Sequence, residues 1–386
     1  MWELLKEVVA VCISFVLIFL VGIGVVPEQA VAPSLPPPTA TEEVATTTVA
    51  VAPPEEGATT TPAAPPPAPA PKPLVDTYEQ SLKEALETLA RIERERATLA
   101  TSVDLNAVAR GATVNILCLT AGSAAFGPIS ASGVVVDERG VILTNAHVGQ
   151  YFLLKDYPTP NFVDCTVRTG SPAQPTYKAK LLFLPPRWIM NNADKIDDEA
   201  PRGNGEHDYA LLLISSTTSG GPVPTPLPYL PLVSTAPQSG SPALLAGYPA
   251  GFLGGATILK ELYATSANAT VGTVYTYDAT TADLFSIGGT VVAQQGASGG
   301  AVAVVNAASA SKVALAGLIV TSSEAAETAN RDLRALSTEY IIRDFATERG
   351  IALGDYLTRD LAAEQQVFMQ STAPSLTAAL VDVLEH

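Results

Sequence analysis

The sequence predicts an all-β body made of two six-stranded antiparallel barrels, with helices only before and after it. Three observations support this fold class. From residue 112 onward, apolar and polar side chains alternate with the period of two that is typical of strands. The apolar runs are short and are separated by clusters of Gly, Pro, Ser and Asn, which favour turns. A Gly/Pro-rich stretch at residues 220–231 divides the candidate strands into two sets of six.

Charge and cysteine usage exclude several classes of function. The formal net charge is −16, from 22 basic and 38 acidic residues. Nucleic acid is therefore not expected as a partner, because phosphate binding needs clustered Lys and Arg. The three cysteines lie far apart without a Cys-x-x-Cys pair, so we predict no metal site and no cofactor. Only three histidines are present, which leaves a short list of candidate general bases.

The N-terminus, residues 1–27, contains an uncharged apolar run from Val8 to Val26, about long enough to span a bilayer as a helix. A cleaved signal peptide is the alternative, but its apolar run is usually shorter and its leader is basic. We predict a single-pass signal anchor. Lys6 is the only basic residue near the run, which favours a cytoplasmic N-terminus and a body in the periplasm or outside the cell.

Two further segments precede the body. Residues 28–73 are rich in Pro, Ala and Thr, a composition typical of an extended linker. Residues 74–110 are predicted to form an amphipathic helix, because Asp76 and Glu79 have the spacing of a capping box and apolar residues recur at helical spacing over 76–103. This helix either packs on its own domain or joins copies of the chain into a homo-oligomer.

The body occupies residues 111–350. The first barrel, about 111–219, is predicted from strands at Thr113–Leu119, Ser132–Val136, Val141–Thr144, Thr166–Arg168, Lys178–Phe183 and Tyr209–Ile214. The second barrel, about 232–325, is predicted from strands at Pro242–Ala246, Glu261–Ala267, Ala269–Tyr275, Leu284–Ile287, Ala301–Val305 and Val313–Val320.

Three short blocks stand at strand ends, in the order Thr144-Asn145-Ala146-His147-Val148, Asp208-Tyr209-Ala210-Leu211-Leu212 and Gly296-Ala297-Ser298-Gly299-Gly300. They resemble the His, Asp and Ser blocks of trypsin-like serine proteases with the chymotrypsin fold. The similarity is closest to the bacterial Deg/HtrA branch and covers residues 110–345. It extends to a Gly-x-Pro-x-Gly turn at Gly247-Tyr248-Pro249-Ala250-Gly251.

The resemblance implies a catalytic triad. Serine is a poor nucleophile unless a base takes its proton during attack. His147 is the expected base for Ser298, and Asp208 is expected to orient the imidazole. The N–H groups of Gly296 and Ser298 are the expected oxyanion hole. His207 precedes Asp208 directly, and we interpret it as a surface or packing residue because neighbouring side chains on a strand point to opposite faces.

The chain also departs from its relatives. Ala297 stands where many pancreatic-type proteases have Asp, so activation by a freed N-terminus is not expected. No PDZ-like motif follows the body. Residues 151–206 form a long insertion, interpreted either as a solvated excursion or as a flap over the substrate.

The resemblance also suggests a specificity pocket and a disulfide. The S1 pocket is expected between Val292-Ala293 and Thr321-Ser322-Ser323, where no acidic residue stands, so a small or medium apolar P1 residue is predicted. Cys118 and Cys165 both fall in the first barrel and are candidates to form a disulfide.

The last part of the chain is predicted to be helical. Thr338–Arg349 resembles the closing helix of the fold, and the tail at 351–386 contains helical patterns at Leu357–Met369 and Leu376–Leu384.

The sequence therefore predicts a membrane-anchored serine endopeptidase that acts on proteins or peptides, in quality control or processing. The alternative is a catalytically silent protease fold that binds or senses peptides.

Overall fold

The structure is a computed structural model, and it describes residues 105–122, 126–198, 203–251, 253–277, 281–306, 309, 312–322 and 332–386, together with Lys83 and Leu86. The predicted membrane segment at 8–26, the linker at 28–73 and nearly all of the predicted helix at 76–103 lie outside the described residues. Helical residues 105–112, here α1, lead into the first strand.

The first half is a closed six-stranded antiparallel barrel, as predicted. Around the barrel the strands follow the order β1-β2-β3-β6-β5-β4. Its interior is apolar: Ile116, Val134, Ile142 and Leu212 are all fully buried. The strands are β1 (Thr113–Thr120), β2 (Ile129–Asp137), β3 (Val141–Thr144), β4 (Val163–Thr169), β5 (Gln174–Phe183) and β6 (Ala210–Thr217).

The second half differs from the prediction of a six-stranded barrel. In the part of the chain that the structure describes, it is an open seven-stranded sheet, a half-barrel with the order β8-β7-β11-β12-β13-β10-β9. Leu245, Val302 and Ile319 form the centre of its core. The strands are β7 (Pro242–Gly247), β8 (Thr265–Thr270), β9 (Val274–Tyr275), β10 (Leu284–Ser286), β11 (Ala301–Val305), β12 (Val313–Ser322) and β13 (Leu333–Ser337).

The strands of this half differ from the prediction in two places. The strand predicted at Glu261–Ala267 begins only at Thr265, after a short helix, Gly255–Lys260. The strand β13 was not predicted at all. It is five residues long and adjoins a helix, and its pairing with both β12 and β10 is a tertiary contact that local pattern does not contain.

The short helices of the first half are α2 (Ala146–Gly149) and α3 (Pro186–Asn192), and the helix of the second half is α4 (Gly255–Lys260). On α3, Trp188 and Ile189 are buried. This part of the 151–206 insertion is therefore neither a solvated excursion nor a flap, because Trp188 and Ile189 belong to the core, while Met190 on the same helix is exposed.

Four helices close the chain: α5 (Thr338–Arg349), α6 (Leu353–Leu357), α7 (Leu361–Ser371) and α8 (Ala373–Glu385). The bounds of α5 agree with the prediction, because Ser337 caps its N-terminus and Gly350, at φ 68°, ends it. The pattern predicted at Leu357–Met369 is instead interrupted before α7, where Asp360 accepts the N–H groups of Ala362 and Ala363.

The closing helices pack against the first barrel. The ring of Phe183 on β5 lies 4.8 Å from that of Phe345 on α5 and 5.8 Å from that of Phe368 on α7, measured between centroids. Within the described ranges, no single helix is long and apolar enough to cross a membrane; α7 and α8 reach that threshold only as a pair bent by 48°. Phe368 and Leu380 of this pair are buried in the core.

Candidate active site

His147 is the second residue of α2 and lies three residues after the end of β3. All four residues of β3 are buried, which fixes where the chain leaves the barrel. The carbonyl of His147 accepts a hydrogen bond from Gln150 Nε2 at 3.0 Å. The imidazole is 31% exposed, so one edge of it is open to solvent and to a reacting group.

Asp208 lies in the turn that precedes β6. Although 61 residues separate it from His147, pairing of Thr144 with Ala210 brings the two together. Asp208 Oδ2 lies 2.9 Å from His147 Nδ1, and Oδ1 accepts the backbone N–H of His147 at 3.0 Å. Asn145 Nδ2 also donates to the backbone carbonyl of Asp208 at 3.0 Å. The carboxylate therefore holds both the ring and the main chain of the histidine.

This carboxylate also changes the acidity of the ring. Burial lowers the pKa of His147, but the charge of Asp208 and its hydrogen bond raise it by more, so the pKa is above its ordinary value. The hydrogen bond to Nδ1 leaves Nε2 as the nitrogen that can accept a proton.

Ser298 lies in the loop between β10 and β11, and this loop is fastened to the first barrel. The backbone N–H of Ser132 donates to the carbonyl of Ser298 at 2.8 Å. Thr144 Oγ1 in turn donates to the carbonyl of Ser132 at 2.8 Å. Since Thr144 is three residues before His147, the loop that carries Ser298 is attached beside the His147 segment.

Ser132 is a site residue that the sequence reasoning did not single out. Its hydroxyl donates to the carbonyl of Gly296 at 2.7 Å and accepts the backbone N–H of Tyr248 at 2.9 Å. One side chain of the first barrel thus joins two loops of the second half. The one signal in the sequence is the Ser132-Gly133 pair within β2, but a serine in a strand has no local pattern that marks such a contact.

The loop needs glycine at two positions with left-handed backbone. Gly296 has φ 89° and Gly299 has φ 80°. A Cβ on Gly296 would lie 2.7 Å from the carbonyl oxygen of Tyr248, and one on Gly299 would lie 2.0 Å from that of Ser132. Among the hydrogen bonds of the described residues, none is donated by the backbone N–H of Gly296 or Ser298.

No hydrogen bond joins Ser298 Oγ to His147 among the contacts of the described residues. Catalytic hydrogen bonds of this kind are often long before substrate binds. What the structure brings together is the His147–Asp208 pair and, beside it, the loop that carries Ser298.

The predicted S1 residues are placed differently. Val292 and Ala293 are fully buried in the core of the second sheet, so neither side chain is open to a ligand in this conformation. Thr321 and Ser322 lie at the end of β12, with side chains outside the described part, and Ser323 lies outside it altogether.

The remaining predicted residues are Cys118, Cys165 and His207. Cys118 and Cys165, opposite each other on β1 and β4, form a disulfide. His207 lies in a turn and not on a strand, and its side chain points into the protein, where it contacts Asp344. The described residues contain no cluster of His, Cys, Asp or Glu that could hold a metal ion.

Residues 131–310 match the family model of the trypsin-like peptidase domain. No curated protein matches the chain. Among solved structures, the chain is similar to the Rv3671c protease from M. tuberculosis in its active form, at 16% identity and a TM-score of 0.38, covering 64% of this chain and 84% of that one.

A second similar structure is the serine endoprotease from Yersinia pestis, at 20% identity and a TM-score of 0.38, covering 64% of this chain and 66% of that one. With TM-scores this low, neither likeness supports a statement about function.

Proposed function

We propose that the chain is a serine endopeptidase in which Ser298 is the nucleophile, His147 the general base and Asp208 the orienting carboxylate. The match of residues 131–310 to the family model of the trypsin-like peptidase domain supports this proposal. The observation that supports this best is the double contact of Asp208 with the ring and the backbone N–H of His147. A carboxylate held in this way fixes the tautomer of the imidazole.

The proposed reaction gives each of these groups one step. Ser298 Oγ attacks the peptide carbonyl while its proton passes to His147 Nε2, and Asp208 stabilises the imidazolium that forms. The N–H groups of Gly296 and Ser298 donate to the oxygen that becomes negative. His147 then returns the proton to the leaving amine, and water repeats the sequence on the acyl-enzyme.

The alternative, a silent protease fold that binds peptides, makes the opposite prediction about the reactivity of Ser298. A fluorophosphonate probe should label the purified protein, and Ser298→Ala should remove both labelling and hydrolysis of a casein substrate. Ser215→Ala is the matched control, because Ser215 is an exposed serine on β6. A parent protein that is not labelled and does not hydrolyse casein would support the silent fold. Casein hydrolysis by Ser298→Ala at the parent's rate would instead refute Ser298 as the nucleophile.

For substrate choice, we propose a small or medium apolar P1 residue. The support is from the sequence: Thr321, Ser322 and Ser323 of the predicted S1 wall are uncharged, and Val292 and Ala293, whose side chains are buried, are not acidic either. A peptide library should show cleavage after Ala, Val or Leu. Preferred cleavage after Lys or Arg would contradict the proposal.

For location, we propose that the apolar run at 8–26 anchors the peptidase, with its body in the periplasm or outside the cell. The disulfide between Cys118 and Cys165 supports an oxidising compartment. The protein should stay in the membrane fraction after an alkaline wash, and protease added to the outside should degrade it. Its release by the wash would contradict the anchor.

For assembly, we propose that residues 76–103 join copies of the chain. Sedimentation of the purified protein with and without residues 75–105 tests this. An unchanged number of chains per particle after removal of the segment would leave the helix without a role in assembly.

A further inference from the structure

A second His–Asp pair lies next to the proposed catalytic one. His207 precedes Asp208 in the chain, and its Nδ1 lies 3.0 Å from Asp344 Oδ2 and 3.0 Å from Oδ1. Both side chains are nine-tenths buried, with 10% of His207 and 8% of Asp344 exposed. Asp344 lies on α5, the closing helix, so this pair connects that helix to the turn that carries Asp208.

The backbone at His207 is held in an unusual conformation. Its φ of 57° is in the left-handed region, which is unfavourable for a residue with a side chain. The backbone N–H of His207 donates to Tyr340 Oη, also on α5, at 3.2 Å. The turn is closed by Asp208 N–H donating to the carbonyl of Gly205 at 3.2 Å. Contacts with α5 therefore hold His207 in this conformation. The conformation of His207 in turn sets the direction in which the chain enters Asp208.

The surroundings of His207 favour its charged form. Glu206 Oε1 lies 3.8 Å from Nε2, and Glu348, whose carboxylate pairs with Arg187 at 3.0 Å, adds negative charge on α5. Burial lowers the pKa of His207, whereas Asp344, Glu206 and Glu348 together raise it by more. The hydroxyl groups of Tyr340 and Tyr209 also face this pair, and burial raises the pKa of both, so they remain neutral.

We propose that His207 and Asp344 are positioning residues, which hold the turn in the conformation in which the Asp208 carboxylate meets His147. This inference rests on the proposed function, since it assumes that Asp208 orients a catalytic imidazole. Neither residue touches the reacting atoms. Their effect passes through a single residue of main chain, from the left-handed backbone of His207 to Asp208.

Two isosteric variants separate positioning from simple electrostatics. His207→Gln removes a positive charge near the site, which alone would raise the pKa of His147. Asp344→Asn removes a negative charge, which alone would lower it. If the pair positions Asp208, both variants weaken the contact between Asp208 and His147, and the pKa of His147 falls in both.

The pKa of His147 can be followed by NMR of labelled histidine, because the chain contains only three histidines. His386→Gln is the control: His386 is 79% exposed, and its loss should leave the pKa of His147 unchanged. In the same variants we expect kcat for peptide hydrolysis to fall about tenfold with KM nearly constant, since a small misplacement of a catalytic group lowers turnover. Tyr340→Phe, which removes only the hydroxyl contact, should shift both quantities in the same direction by less.

Two outcomes would overturn the inference. One is a shift of the His147 pKa in opposite directions in His207→Gln and Asp344→Asn. The other is a parent-like pKa and kcat in both folded variants. The pKa measurement does not depend on turnover. A parent protein that hydrolyses nothing would therefore refute the proposed function while this test still decides the positioning role.

Discussion

The substitution Gly299→Ala tests how closely the loop that carries Ser298 is fitted to the first barrel. A Cβ at this position would lie 2.0 Å from the carbonyl oxygen of Ser132 and 2.6 Å from Thr144 Oγ1. Ordinary contact begins at 3.4 Å, so the loop must retreat by about 1.4 Å. Because the nearest obstacle is backbone, no change of side-chain rotamer relieves the clash.

The expected loss of stability in Gly299→Ala has two parts. The φ of 80° costs alanine about 1–2 kcal/mol more than glycine. With the lost hydrogen bond between Ser132 and Ser298, we expect the free energy of unfolding to fall by about 2–3 kcal/mol. A displacement of about 1 Å at a reacting group can lower the rate about 100-fold. We therefore expect kcat/KM to fall by at least that factor.

The assay is peptide hydrolysis together with urea unfolding. Gly354→Ala is the matched control, because a Cβ there meets nothing within 4 Å and the residue lies in α6. It should leave both measurements near the parent values. Parent-like hydrolysis by Gly299→Ala, in protein shown to be folded, would refute the view that contact with Ser132 sets the position of Ser298.

Three further predictions concern stability and pH. Arg168, which is 1% exposed, donates from Nε to Asn115 Oδ1 at 2.7 Å and from Nη1 to the carbonyl of Ile258 at 2.9 Å. Arg168→Met should lower the free energy of unfolding by about 2–3 kcal/mol, since buried acceptors lose their donor; an unchanged urea midpoint would contradict this. Replacing Cys118 and Cys165 by Ala should cost about 2–4 kcal/mol, because their disulfide closes a loop with a separation of 47 residues; thermal unfolding measures this, and equal Tm values would contradict it. The acid limb of kcat/KM should lie above the ordinary histidine pKa of about 6.5, since the proposed mechanism needs neutral His147 and the pKa of His147 is raised; a limb at or below that pH would contradict the proposed role of Asp208.

The same raised pKa values have a consequence for folding. Protonated His147 and His207 each gain more from a carboxylate in the folded protein than in the unfolded chain. This stabilisation is fully present below the unfolded pKa of about 6.5 and is lost as the pH rises through the folded value.

Local pattern was sufficient for the first barrel and for the closing helix. The strand at Val141–Thr144 and the helix at Thr338–Arg349 were predicted with the bounds that the structure has, because alternation and capping residues are local signals. The second half was less predictable. The strand Leu333–Ser337 is defined by its two neighbours in the sheet, and those contacts join residues far apart in the chain.

The position of His207 was also not predictable from local pattern. Its interpretation assumed a strand, in which successive side chains alternate between two faces. The structure has a turn with left-handed backbone, which directs His207 toward Asp344 while Asp208 meets His147. The partner of His207 is 137 residues away, so no local pattern could have identified it.

The amino-acid sequence by itself determined the order of the His, Asp and Ser blocks, because each block is a short run with its own turn or strand signature. Tertiary structure decided which atoms meet: Asp208 with both the ring and the backbone of His147, and Ser132 with the loop of Ser298. The physical reason is that hydrogen bonds act over about 3 Å in space and not along the chain. Only the folded barrel brings residues so distant in sequence within that range.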